Sequence, residues 1–280
     1  MSAEESATPL ASFEAKWSAA YPEFGLALRF CRRDREAWSA FACLAFELEH
    51  AAFGIREMQP AAIKLQWWAE EFARVARGEA RHPLTQALAP RIATASIPLA
   101  RWQEAIVGAF AQRDAEPAAD AAALLEHYAR LHAPLGAIEA ALFGSSAEAV
   151  ARSLALTRAL RETAALPDAL RDGKLPLPMD LLARHRLARG DLASPSQSRS
   201  DALHEWLGTL SQALSGLVAR DAVESRPIGV ARAAMTAAAA RHAMTAARAP
   251  EPLTGIEAAL RSLSIPVVWS AWRAARRSPA

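Results

Sequence analysis

The amino-acid sequence predicts an all-α protein, and three observations lead there. Alanine recurs throughout while runs of β-branched residues are scarce, which favours helix on propensity. Apolar residues return at spacings of three and four over long stretches, the period of one helix face. Breakers fall between those stretches, at 115–120, 172–178, 190–200 and 248–253, and none is long enough to act as a domain linker. The expected architecture is one domain over residues 1–280 with about eight to ten helices, as a count read from these stripes, and residues 1–12 disordered.

The stripes can be taken in order. Trp38, Phe41, Ala45, Leu48 and Ala52 share one helical face. Leu65, Trp68, Phe72 and Val75 repeat the pattern, and the helix should stop at basic residues followed by Gly78. Pro83 suits the first turn of the next helix. Leu124, Tyr128, Leu131, Leu135, Ile138 and Leu142 form the clearest stripe, closed by Gly144, with Pro134 expected to kink it. Leu203, Leu207, Leu210, Leu214 and Leu217 follow a polar loop. Near the end, Thr254 and Glu257 have capping-box spacing ahead of Leu260 and Leu263.

Composition narrows the functional classes. Hydrophobic residues make up 52% and charged residues 22%, with a formal net charge of +2. Such a chain buries a core, and its charge gives no basis for a nucleic-acid partner. The N-terminus is polar, without a basic region leading into an apolar run, so no secretory signal is expected. With only Cys31 and Cys43, a reducing cytoplasm is the expected location. No uninterrupted apolar stretch reaches the ~18 residues that a membrane-spanning helix needs. The C-terminal run places Trp269 and Trp272 before Arg273, Arg276 and Arg277, as on interfacial helices. Packing of a short terminal helix with a solvated basic end is the plainer reading. At most, peripheral contact with the inner membrane surface is expected.

Residues 55–88 carry a recognisable pattern: Arg56, Glu57, Pro60, Leu65, Trp67 and Trp68, then Gly78, His82 and Pro83. This stretch resembles the squalene/phytoene synthase family, and most of all its diverged branch that includes respiratory complex I assembly factors. Segments 127–144 and 172–187 resemble later pieces of the family in the same order. The resemblance implies an isoprenoid-synthase-like bundle around a central apolar cavity. It also implies magnesium-assisted ionisation of an allylic diphosphate, with Asp-x-x-x-Asp pairs on facing helices as ligands.

Those aspartates are missing. Anchored on Phe46, the first motif falls on Ala51, Ala52 and Ile55, and a one-residue slip places Arg56 on its last position. Near the second motif only Asp168 and Asp172 have the required spacing, as metal ligands or as solvated loop carboxylates. His127 and His132, five apart, face different directions and form no metal pair. Candidates for lining a cavity or binding a ligand are Glu47, His50, Arg56, Glu57, Lys64, Trp67, Tyr128 and Arg171. Glu47 and His50 have the spacing for a mutual hydrogen bond, and Arg56, Lys64 and Arg171 offer positive charge. Two functions follow. One is a non-catalytic or altered family member that binds an isoprenoid-type or other lipid, or a protein partner in assembly, with no cofactor. The alternative is an active Mg2+-dependent head-to-head prenyl transferase using isoprenoid diphosphates.

Overall fold

The structure is a computed structural model that describes residues 8–114, 116–221 and 227–278. Among the described residues there are fourteen α-helices and no strand. The first six are α1 (Pro9–Ala20), α2 (Pro22–Leu28), α3 (Arg35–Glu49), α4 (Met58–Ala76), α5 (Pro83–Ala95) and α6 (Leu99–Ala111). Then come α7 (Ala121–Phe143), α8 (Ala147–Ala164), α9 (Leu166–Arg171) and α10 (Met179–Arg184). The chain ends with α11 (Gln197–Asp221), α12 (Val230–Ala246), α13 (Pro252–Leu260) and α14 (Ile265–Arg277). A π-helical turn over His50–Gly54 extends α3, and a 3-10 turn spans Arg189–Ala193.

Helix boundaries follow local chemistry. Proline opens the first turn of α1, α2, α5, α9, α13 and α14, where its missing N–H costs nothing. Asp120 caps α7 by accepting from the Ala123 amide at 2.8 Å, and Ser146 caps α8. Gly144, at φ +75°, ends α7 in the left-handed conformation that glycine adopts without strain. Two expectations about boundaries change, and α7 continues through Pro134 as one helix. Helix α1 begins at Pro9, inside the stretch expected to be disordered; residues 1–7 lie outside the described residues. Glu251, and not Thr254, caps α13, its carboxylate accepting from the Thr254 amide at 2.7 Å. The count exceeds eight to ten because four helices of nine residues or fewer, α2, α9, α10 and α13, are too short to show a stripe.

All the predicted stripe residues of α3, α4, α7 and α11 are buried. They fall into two apolar clusters, and α7, α8 and α12 contribute to both, which ties the clusters together. Helix α12 is built largely of alanine and is buried on nearly every side, as a central helix must be. Small residues set the closest crossings. A Cβ on Gly108 of α6 would strike the Arg130 carbonyl of α7, and one on Gly136 would come within 2.7 Å of the Ala147 carbonyl of α8. No helix among the described residues is long and apolar enough to cross a membrane.

Candidate functional site

At the position of the expected first acidic motif, α3 runs into its π-helical turn. Ala51 and Ala52 are fully buried. The carbonyls of Ala51, Ile55 and Arg56, left over at the helix end, accept from the Arg113 guanidinium at 3.0, 2.8 and 2.9 Å. Arg56 itself turns to the other expected motif. Its Nη2 lies 3.0 Å from Oδ1 of Asp172 and its Nε donates to Oδ2 at 3.2 Å. Asp168 is paired with Arg171 on the same exposed helix. Both candidate metal ligands are therefore already bound to guanidinium groups at the surface. No group of three or more His, Cys, Asp and Glu side chains that could hold a metal ion occurs among the described residues.

The middle of the bundle, expected as an apolar cavity, carries a polar network. Buried Glu49 of α3 lies 3.1 Å from Nε2 of His132 on α7 and 3.7 Å from Arg158 on α8. Arg158 also pairs with Glu162, and Arg161 with Glu23 of α2. The two guanidinium groups cover the rings of Phe53 and Tyr21, at 4.2 and 3.8 Å. Across the same core, Arg232 of α12 donates to both oxygens of Glu139 at 3.2 and 2.6 Å, and the Trp38 indole donates to Glu139 as well. Burial pushes the Glu49 carboxyl up, but the His132 hydrogen bond and the charges of His132, Arg158 and Arg161 outweigh it and hold it below the usual range. The space left beside Tyr21, Glu49, Arg158 and Arg161 is about 20 Å3, room for one water molecule. Tyr128, expected to line the cavity, is a core residue packed edge-on to Phe53.

Three of the candidates meet elsewhere. Glu47, Lys64 and Trp67 line an open groove of about 660 Å3 between α1, α4 and the turn before α5, together with Phe13, Ile63 and Trp68. Lys16 and His82 also border it. One oxygen of Glu47 accepts from Lys64 at 2.6 Å; the other accepts from Lys16 and, at 3.1 Å, from the Trp17 indole. Burial raises the Glu47 carboxyl, and the two lysines more than reverse that. His50 stands one turn on, its ring centroid 6.1 Å from that of Trp17. Glu47 spends its oxygens on the lysines and Trp17, so the hydrogen bond expected between Glu47 and His50 does not form. Burial, then Lys64 and Lys16, lowers the affinity of His50 for a proton. Glu57 and Arg171 are exposed and lie outside the groove. Phe13, Lys16 and Trp17 were not singled out from the sequence, although Phe13 and Trp17 are four apart, on one helical face.

The groove's far wall depends on Glu71. This fully buried carboxylate accepts from the amides of Arg81 and His82, both at 2.8 Å, from the Thr85 hydroxyl at 2.6 Å and from Arg74 at 2.9 Å. Burial alone would raise its pKa; these donors instead pull it from the ordinary 4.5 to about 2. The His82 ring then caps α5, accepting from the Leu84 amide, and stands 4.8 Å from the Trp68 ring. The Gly78–His82–Pro83 spacing is thus the signature of a braced turn.

Comparison with known proteins places this arrangement. The family model described as squalene/phytoene synthase matches residues 20–273. The chain is similar in structure to the squalene synthase HpnC from Alicyclobacillus acidocaldarius, with a TM-score of 0.66 at 14% identity over 89% of this chain and 92% of that one. It is also similar to a dehydrosqualene synthase solved in complex with a ligand, with a TM-score of 0.67 at 11% identity over 90% and 95%. No curated protein matches. A match over most of its length, on an all-α bundle of the same fold, means that this chain belongs to the squalene/phytoene synthase family.

Proposed function

We propose that this protein is a non-catalytic member of its family, one that binds an isoprenoid-type lipid and does not condense isoprenoid diphosphates. The observation that carries the reading is the Arg56–Asp172 ion pair. Two acidic motifs gripping magnesium between them would put carboxylates on both sides; here a guanidinium stands on one side and takes the carboxylate of the other. A diphosphate leaving group with about three charges needs metal or several cations to offset it in an apolar site. The candidate cations are spoken for, since Arg56, Lys64 and Arg171 are paired with Asp172, Glu47 and Asp168. The groove of Phe13, Ile63, Trp67 and Trp68 supports the binding half of the reading, because aromatic and branched walls suit a branched apolar chain. A role in assembly would use the same groove for an apolar segment of a protein.

The test incubates the purified protein with farnesyl or geranylgeranyl diphosphate and Mg2+ and follows diphosphate release. Release at the level of a protein-free control is expected. Release that Asp168→Ala and Asp172→Ala abolish would overturn the non-catalytic reading. Calorimetric titration with farnesol tests the binding half, with Trp67→Ala expected to weaken the interaction several-fold.

A further inference from the structure

The last helix, α14, presents its larger apolar side chains outward. It docks on the body through small residues, Val267, Ala271, Ala274 and Ala275, all buried. The opposite face carries Ile265, 86% exposed, Trp269, 56% exposed, and Val268, with Trp272 stacked on Trp269 at 4.7 Å between centroids. Positions 265, 268, 269 and 272 share one helical stripe, and Arg276 continues it one turn later. A surface helix ordinarily turns such a stripe inward.

Among the described residues the unpaired charge of this region is positive; Arg276 also borders a hollow holding Asp34 and Glu139, but those carboxylates are paired with Arg91 and Arg232. No acidic residue follows Glu257 in the chain, and α12, on which α14 packs, has none. Arg273, Arg276 and Arg277 make no ion pair with a carboxylate among the described residues; Arg276 rests 5.1 Å from the Trp272 ring centroid. Arg241 of α12 borders the same hollow as Arg273 and Arg277.

We propose that α14 attaches the protein to an anionic lipid surface. Ile265, Val268, Trp269 and Trp272 enter the boundary between headgroups and acyl chains, and Arg273, Arg276 and Arg277 meet the lipid phosphates. Indole rings and arginines are suited to that depth, one end apolar and the other wet. A second copy of the chain fits this face less well. A two-fold contact through it would bring the arginines of both copies together. The four side chains also expose roughly half of the ~800 Å2 per partner that a stable interface buries. This inference does not depend on what fills the groove by α4, which lies on other helices.

Cosedimentation with vesicles tests it, using phosphatidylcholine alone and phosphatidylcholine mixed with phosphatidylglycerol. Binding to the mixed vesicles, lost in high salt and at least tenfold weaker on neutral vesicles, is expected. Each arginine near a charged surface is worth roughly fivefold in affinity, so Arg273→Gln/Arg276→Gln/Arg277→Gln together should lose on the order of 100-fold. Ile265→Ser should weaken binding without moving the thermal melt, since that side chain is 86% exposed. Equal binding to both vesicle types, or binding that neither variant weakens, would overturn the proposal. So would a dimer in sedimentation equilibrium that Trp269→Ala dissociates.

Discussion

Glu71 sits in the fourth turn of α4, yet its carboxylate serves the start of α5, taking two amides, a hydroxyl and a guanidinium at once. Its folded pKa of about 2 against an ordinary 4.5 corresponds to roughly 3 kcal/mol at neutral pH. The sign follows from which state takes the proton first. As pH falls below 4.5 the unfolded chain is protonated while the folded one is not, so this contribution is complete above pH 4.5 and fades toward pH 2. Glu71→Gln keeps one acceptor oxygen and loses the charge, and should cost about 2–3 kcal/mol at pH 7 by urea unfolding. The gap between variant and parent should narrow at pH 3; a gap that stays constant would mean that the charge of Glu71 is not what braces the turn. Because His82 stands on this turn and packs against Trp68 in the groove, the same variant should also weaken ligand binding there.

Helix crossings are where single atoms matter most. Gly108→Ala would push a methyl into the Arg130 carbonyl of α7, a backbone atom that cannot rotate away. Helix propensity favours alanine by about 1 kcal/mol, so a net loss would show that packing overrides propensity. A loss of roughly 1–3 kcal/mol is expected from overpacking, read as a lower melting temperature, whereas Gly208→Ala on α11, with open space around it, should raise the melt. The same contrast says what the sequence could disclose. The stripes of α3, α4, α7 and α11 were legible because a long helix repeats its burial every three or four residues. Short helices such as α9 and α10 repeat too little to be read. Phe13 and Lys16 reach the groove by tertiary packing of α1, and nothing local to their own segment marks that destination. The replacement of the acidic motif at Ala51 and Ala52 was visible residue by residue; that Arg56 crosses to Asp172, 116 positions away, was not.

At the scale of the whole molecule, an ionic network runs through the interior of the bundle. Glu23, Glu49, Glu139 and Glu162 face Arg158, Arg161, Arg232 and His132 across five helices. Such pairs are expensive to desolvate, and removing one member costs more than the pair contributes, because its partner stays buried and uncompensated. Arg158 is the test residue, since it touches both Glu49 and Glu162. Arg158→Met keeps much of the side-chain volume and should cost about 3–5 kcal/mol in urea unfolding at pH 7. In the parent protein Glu49 is held ionised below the ordinary carboxylate range, so its stabilising share is present above that range and is lost as pH falls through the depressed value. Without Arg158 one of the charges holding Glu49 down is gone, and protonation relieves an unpaired carboxylate. The penalty of Arg158→Met should therefore shrink between pH 7 and pH 4. A penalty independent of pH would assign Arg158 to packing over Phe53, and the centre of the bundle would then be held by shape and not by charge.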